Sequence, residues 1–221
     1  MDERRWYPLF LDLEGKRVVV VGGGAVAERK IEALVAAGAS VLVVAPEVTE
    51  GIVRLAASAP VAIERRAFEQ GDLEGAALAF AATDRPEVNR LVASEASARG
   101  VPANVADHPE LGSFIVPATI ERGAIRIAFS TGGHSPLLAR HLRERLEREI
   151  GPGISALAEV LGELREAARA ALPDEAGRRE FFAAVLASPA AAMLERGEAA
   201  AARKGLEALC RKWGVPFGGR D

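Results

Sequence analysis

A single cysteine, Cys210, stands in the 221 residues. That excludes an internal disulfide and a Cys-x-x-Cys zinc site, and it suits a reducing compartment, so a cytoplasmic protein is expected. A positive excess is missing as well. Lys and Arg number 28 against 31 Asp and Glu, for a formal net charge of −3, whereas nucleic-acid or membrane-surface binding needs a basic surplus to attract phosphates. Neither nucleic acid nor membrane is expected as a partner, and any basic site must be local. No apolar run approaches the roughly 18 residues that span a bilayer. The opening Met1-Asp2-Glu3-Arg4-Arg5 leads into Trp6-Tyr7-Pro8 without the apolar core of an export signal. The three histidines, His108, His134 and His141, fit no ligand spacing, so no resident metal is expected, and no internal repeat is found.

What is present is an ordinary globular composition, 49% hydrophobic and 27% charged. Its first half alternates short β-branched runs with helical stretches, the pattern of a parallel sheet covered on both faces. Strands are expected at 17–21, 41–44, 61–65, 77–81 and 101–105. Helices are expected at 25–37, ending at Gly38, at 49–58, and from Asp84 or Pro86 to Arg99. The sheet is doubly wound. Beyond residue 113 the grammar changes: 113–120 and 124–130 read as an antiparallel hairpin joined at Glu121-Arg122-Gly123. Ser135 as N-cap with Pro136 then opens a helix whose Leu138, Leu142, Leu146 and Ile150 recur along one face. Gly151-Pro152-Gly153 breaks it, and helical periods return at 154–171, 174–187 and 190–213.

The loop Gly22-Gly23-Gly24-Ala25-Val26-Ala27 follows a buried strand and opens a helix, the context in which Gly-x-Gly-x-x-Ala binds a pyrophosphate. The first glycine permits the turn, Gly24 lets the phosphates approach the backbone, and Ala27 lets helix and strand pack closely. Free N–H groups and the helix dipole add partial positive charge. No acid ends the second strand, where a ribose contact is ordinarily found. The nearest is Glu47, after Pro46, which reads either as a ribose contact or as a solvated loop residue. The absence of an arginine beside Pro46 favours NAD over NADP.

Five stretches in order resemble one family: residues 22–30 (Gly-Gly-Gly-Ala-Val-Ala-Glu-Arg-Lys), Ala81-Ala82-Thr83-Asp84, Asn104-Val105-Ala106-Asp107, residues 113–118 (Ser-Phe-Ile-Val-Pro-Ala), and Ser130-Thr131-Gly132-Gly133-His134-Ser135-Pro136. They are similar to the precorrin-2 dehydrogenase and sirohydrochlorin ferrochelatase module of siroheme synthases, closely over residues 7–150 and loosely over the tail. The resemblance implies an α/β chain with a Rossmann-type NAD-binding domain over 1–112. A small α+β dimerisation segment, hairpin plus helix, follows over 113–150, and a helical C-terminal domain over 151–221. It implies NAD-dependent oxidation of precorrin-2 to sirohydrochlorin, a homodimer, and ferrous iron as substrate of a second step giving siroheme. The chain has no room for the methyltransferase domain of full-length siroheme synthases, so a separate enzyme is expected to supply precorrin-2. A chain with only one of the two activities, or a non-catalytic NAD- or tetrapyrrole-binding protein on this scaffold, stays open.

The resemblance also implies roles. Asp107 falls at the family's acid/base aspartate, and its place after the fifth strand is where ligands of such sheets bind; without the resemblance it reads as a cap on the turn to His108-Pro109. Thr83, Asp84 and Asn104 fall where the family contacts the nicotinamide half of the cofactor, although Asp84 is also a plausible helix N-cap. Ser130, Thr131, Gly132, Gly133, His134 and Ser135 offer hydroxyls and backbone N–H groups suited to the carboxylates that rim precorrin-2. Arg122, Arg126, Arg140 and Arg143 are candidate carboxylate partners; Arg140 and Arg143 equally suit surface pairs with Glu144 and Glu147. His134 is the best candidate for a transient iron contact or proton shuttle.

Overall fold

The computed structural model describes residues 5–106 and 108–217. They divide into two compact units, the division falling between Val116 and Pro117.

In the first unit, β1 (Arg17–Val21) is a run of four valines buried on both faces. Such a run belongs to a strand with parallel neighbours on each side and helices above and below. Those neighbours are β2 (Ser40–Val44) and β4 (Leu78–Ala81), with β3 (Val61–Glu64) and β5 (Ala103–Val105) outside them, in the order β3-β2-β1-β4-β5. Side chains alternate across the sheet. Val18 and Val20 pack with Ile31 and Leu34 of α1 (Ala25–Ala36) and Ile52 of α2 (Glu50–Ser58). Val19 and Val21 pack with Val92 and Ala96 of α3 (Pro86–Arg99). The last β5 strand is shorter than expected because Pro102 has no N–H to give.

Register positions the site. Val21 pairs with Val44 and Ala81, Val44 with Glu64, and Ala81 with Val105, so the carboxyl ends of all five strands lie level. The residues that follow, Gly22, Ala45, Ala82 and Ala106, leave the sheet along one edge, at the reversal of strand order between β1 and β4 where such folds bind ligands. Helix α1 stops at Gly38, whose φ of 79° lets its N–H and that of Ala39 close back on Val35 and Leu34. The unit continues past the expected boundary at 112 to Val116, because the N–H groups of Ser113 and Phe114 both donate to the Ala103 carbonyl.

The second unit opens with the hairpin β6 (Ala118–Arg122) and β7 (Ile125–Phe129). Its loop is Gly123-Ala124, not Glu121-Arg122-Gly123. Glu121 and Arg122 pair with Arg126 and Ile125, and Gly123, at φ 57°, makes the tight reversal. Ser135 caps α4 (Pro136–Glu149), accepting from the Leu138 N–H at 3.1 Å. The tail is α5 (Ile154–Ala171), α6 (Glu175–Leu186), α7 (Pro189–Glu195) and α8 (Ala199–Trp213) around Leu164, Phe181, Leu206 and Cys210. The single helix expected at 190–213 is two, since Gly197 takes φ 82° and turns the chain.

Candidate functional site

A cleft of about 750 Å³ opens on the carboxyl edge of the sheet, within the usual range for ligand sites. One wall is the glycine loop. Gly22 sits at φ 127°, and a Cβ there would strike the Ala82 carbonyl; a Cβ on Gly23 would strike that of Glu47. These two glycines are needed by the protein's own packing. Gly24 is different: its φ of −84° suits any residue, and nothing lies within 4 Å of where its Cβ would be. The protein does not require glycine there, while a pyrophosphate approaching the backbone does. Ala25 and Val26 follow on the same wall, and no side chain caps the N-terminus of α1, so its first N–H groups are available to an anion. The residues present therefore fit a dinucleotide.

The opposite wall is the turn after β2, with Pro46 and the exposed Glu47. It is held to the glycine loop by the Thr49 N–H donating to the Gly23 carbonyl at 2.9 Å. Thr49 also caps α2 and donates its hydroxyl to Glu28 Oε2 at 2.5 Å. The floor comes from β4. Thr83 and Asp84 line the cleft, and Thr83 is fixed by Asn89, only 3% exposed. Asn89 Oδ1 accepts from the Thr83 hydroxyl at 2.8 Å and from its N–H at 3.3 Å, and Asn89 Nδ2 donates to the Thr83 carbonyl at 3.0 Å. Asp84 is not the helix cap: Arg85 occupies that position with no side-chain cap, and the Arg85 N–H goes to the Thr83 hydroxyl. Arg85, the cation of the cleft lining, is paired with Glu87 at 2.8 Å.

Of the residues expected to hold the cofactor, Asn104 alone stands apart from this cleft. Its side chain is 8% exposed and engaged by the protein, Nδ2 donating to the Phe114 carbonyl at 3.1 Å and Oδ1 accepting from Lys30 Nζ at 3.0 Å. Asp107 lies outside the described residues; the adjoining Ala106 lines the cleft.

The residues expected to meet substrate lie in the second unit, and most of their polar groups are spent locally. Ser130 Oγ accepts from the Gly132 N–H, the Thr131 hydroxyl donates to the Ser135 carbonyl, and Ser135 Oγ is the α4 cap. His134 Nδ1 lies 2.9 Å from the Thr131 carbonyl, so that nitrogen carries the proton. Gly132 and Gly133, at φ 64° and 84°, shape this turn. Arg140 pairs with Glu144 at 3.0 Å and Arg143 with Glu147 at 4.0 Å. Exposed pairs of this kind are worth under about 1 kcal/mol and yield readily to a better anion. Arg126 reaches Glu121 and the Gly123 carbonyl. Arg122 Nε is buried with no partner among the described residues. Among those residues no group of three or more His, Cys, Asp or Glu is placed to hold a metal.

Three family models together match most of the chain: "Putative NAD(P)-binding" over 9–118, "Sirohaem biosynthesis protein central" over 122–149, and "Sirohaem synthase dimerisation region" over 153–209. A siroheme synthase of Chromobacterium violaceum is 43% identical over 202 residues, covering 91% of this chain and 43% of the relative. That of Methylococcus capsulatus is 43% identical over 194 residues, covering 88% and 41%. The chain belongs to the siroheme synthase family. It spans less than half the length of these curated relatives. A solved structure named SirC, precorrin-2 dehydrogenase, superposes with a TM-score of 0.75 at 26% identity, over 93% of this chain and all of the other. The family match makes NAD the cofactor of the first unit. The word dimerisation attaches to the helical tail, whereas the sequence reading attaches it to the hairpin segment at 113–150. A hairpin too small to cover itself signals a missing partner in sequence; a tail with its own core does not.

Asn89, Glu28 and Lys30 were given no role of their own from sequence. Their types are common and their partners distant in the chain or not marked by any pattern, so nothing local announces those roles.

Proposed function

We propose that this chain oxidises precorrin-2 to sirohydrochlorin with NAD, and that it inserts ferrous iron into the product to give siroheme. The observation that carries the reading is the dinucleotide cleft, open at Gly24 and the uncapped α1 N-terminus, in a chain that aligns with the whole of a precorrin-2 dehydrogenase.

Bound NAD supplies the hydride acceptor. The first turn of α1 holds the pyrophosphate, Glu47 accepts from a ribose hydroxyl and so favours NAD over NADP, and Thr83 and Asp84 border the nicotinamide half. Precorrin-2 loses a hydride and a proton for each NAD reduced, and Asp107 takes the proton. Insertion of iron displaces two pyrrole protons, which the same carboxylate relays to water. Residues 130–135 and Arg140 receive substrate carboxylates. The chain works in the cytoplasm as a homodimer of the three segments 1–112, 113–150 and 151–221, without nucleic acid or membrane.

Incubation with precorrin-2 and NAD, followed by ferrous ion, tests the two steps separately. NADH formed with sirohydrochlorin supports the first, and its absence refutes it. Metallation no faster than the protein-free rate would remove the second and leave a dehydrogenase alone.

A further inference from the structure

The engagement of Asn104 by the protein has a chemical consequence. An amide side chain has one accepting and one donating end of nearly equal shape, and its partners decide which way it faces. Here an ammonium fixes it. Lys30, on α1, donates to Oδ1 at 3.0 Å and lies 5.2 Å from the centroid of the Phe80 ring, so Nδ2 is turned to the Phe114 carbonyl. Phe80 and Phe114 meet edge to face, centroids 5.4 Å apart. Around the same point the Ala103 N–H donates to Ser113 Oγ, and the Ala103 carbonyl accepts from Ser113 and Phe114. These bonds close the chain on itself across residues 104–112, the segment to which Asp107 belongs. A charge-assisted hydrogen bond and a cation over an aromatic face are both strengthened by partial burial.

We propose that Lys30 is a positioning residue for the reaction. Its ammonium orients the Asn104 amide, and through that amide it fixes the closure at Phe114 that holds the segment bearing Asp107. The same helix that presents its N-terminus to the dinucleotide thus carries, farther along, the group that sets the proton-accepting segment. This rests on the reading of Asp107 given above.

Lys30→Met and Lys30→Arg in the full chain test it. Misplacing a reacting group by an ångström is costly, so Lys30→Met is expected to lower kcat for precorrin-2 oxidation about ten- to a hundredfold. The Kd for NAD, measured by direct titration, stays within about threefold, because the glycine loop is untouched. The amides of Ser113 and Phe114 exchange with solvent faster, and those of the glycine loop do not. Lys30→Arg, which keeps a cationic donor, restores most of kcat. Asn104→Leu breaks the same link, so Lys30→Met/Asn104→Leu is expected to be no slower than the worse single variant. A wild-type kcat in Lys30→Met, additive losses in the double variant, or an NAD affinity that falls as far as kcat would each overturn the proposal. Should Lys30→Met not fold, Lys30→Gln carries the same comparisons. If the wild-type chain itself forms no NADH from precorrin-2, the functional reading fails, and the exchange rates in Lys30→Met alone decide whether the link exists.

Discussion

Gly23 and Glu47 meet across the cleft, and each sets a different property of it. A methyl on Gly23 has no room, because the Glu47 carbonyl occupies its place. Gly23→Ala must push the turn at 46–48 away from the loop, and NAD affinity is expected to fall about tenfold or more, the scale on which glycine-loop geometry governs phosphate contact. Unchanged affinity by fluorescence titration would show that the turn yields freely. In the proposed role Glu47 acts through its charge. Glu47→Gln is expected to weaken NAD binding by about 1 kcal/mol, the net worth of a typical hydrogen bond, and to narrow the preference over NADP. An unchanged NAD to NADP ratio would leave Glu47 as a solvated residue. Asp107→Ala is expected to abolish turnover while NAD still binds; wild-type rates in that variant would refute its role. The glycines were legible in sequence because their requirement is local, fixed by backbone angles and neighbours a few positions away. Asn89 and Lys30 were not, since nothing near them in the chain says that Thr83 or Asn104 will need a partner. Asp84 misled for a related reason: Asp-x-Pro reads as cap and first turn, but the Thr83 hydroxyl takes the Arg85 N–H and moves the cap on by a residue.

Between β3 and β4 the chain is packed through Leu73, which is fully buried, and clasped by charge. Arg66 forks onto Asp72, with Glu64 beside it, and Asp72 also accepts from the Glu69 N–H. The clasp adjoins Ala67 and Phe68, which line the cleft. The guanidinium holds the Asp72 carboxyl below the usual carboxylate range. A group whose folded pKa is depressed adds stability above its unfolded pKa and loses it as pH falls through the folded one. Asp72→Asn is therefore expected to destabilise the chain at neutral pH by about 1–3 kcal/mol, with the gap to wild type closing in acid. A gap independent of pH, by denaturant titration, would contradict the ion-pair account. Helix ends divide into those the sequence announces and those it hides. Thr49, Ser135 and Asp174 cap their helices through their own side chains, a local signature. The break at Gly197 is hidden, because its neighbours Glu195, Arg196 and Glu198 are all good helix formers and both halves keep an apolar period.

At the scale of the molecule each unit has its own core, that of the tail closing over Cys210. Burial pushes the Cys210 thiol up from its ordinary pKa, so thiol reagents are expected to label it slowly in the native state and quickly once unfolded. Rapid native labelling would mean that the tail opens. Helix α4 buries none of its residues in the single chain, and Leu137 and Leu138 are 78% and 48% exposed. A second copy is expected to cover such apolar surface, and light scattering should give twice the mass of one chain. The parallel sheet and its glycine loop were readable because hydrophobic runs, glycines and helix periods repeat short-range rules. The substrate was legible only through the resemblance of five stretches to a family, since fold and cofactor by themselves leave it open. The most direct measurement is anaerobic incubation of the purified chain with precorrin-2 and NAD. One NADH for each sirohydrochlorin formed is the result predicted, and precorrin-2 left unoxidised with NAD bound is the result that would contradict it.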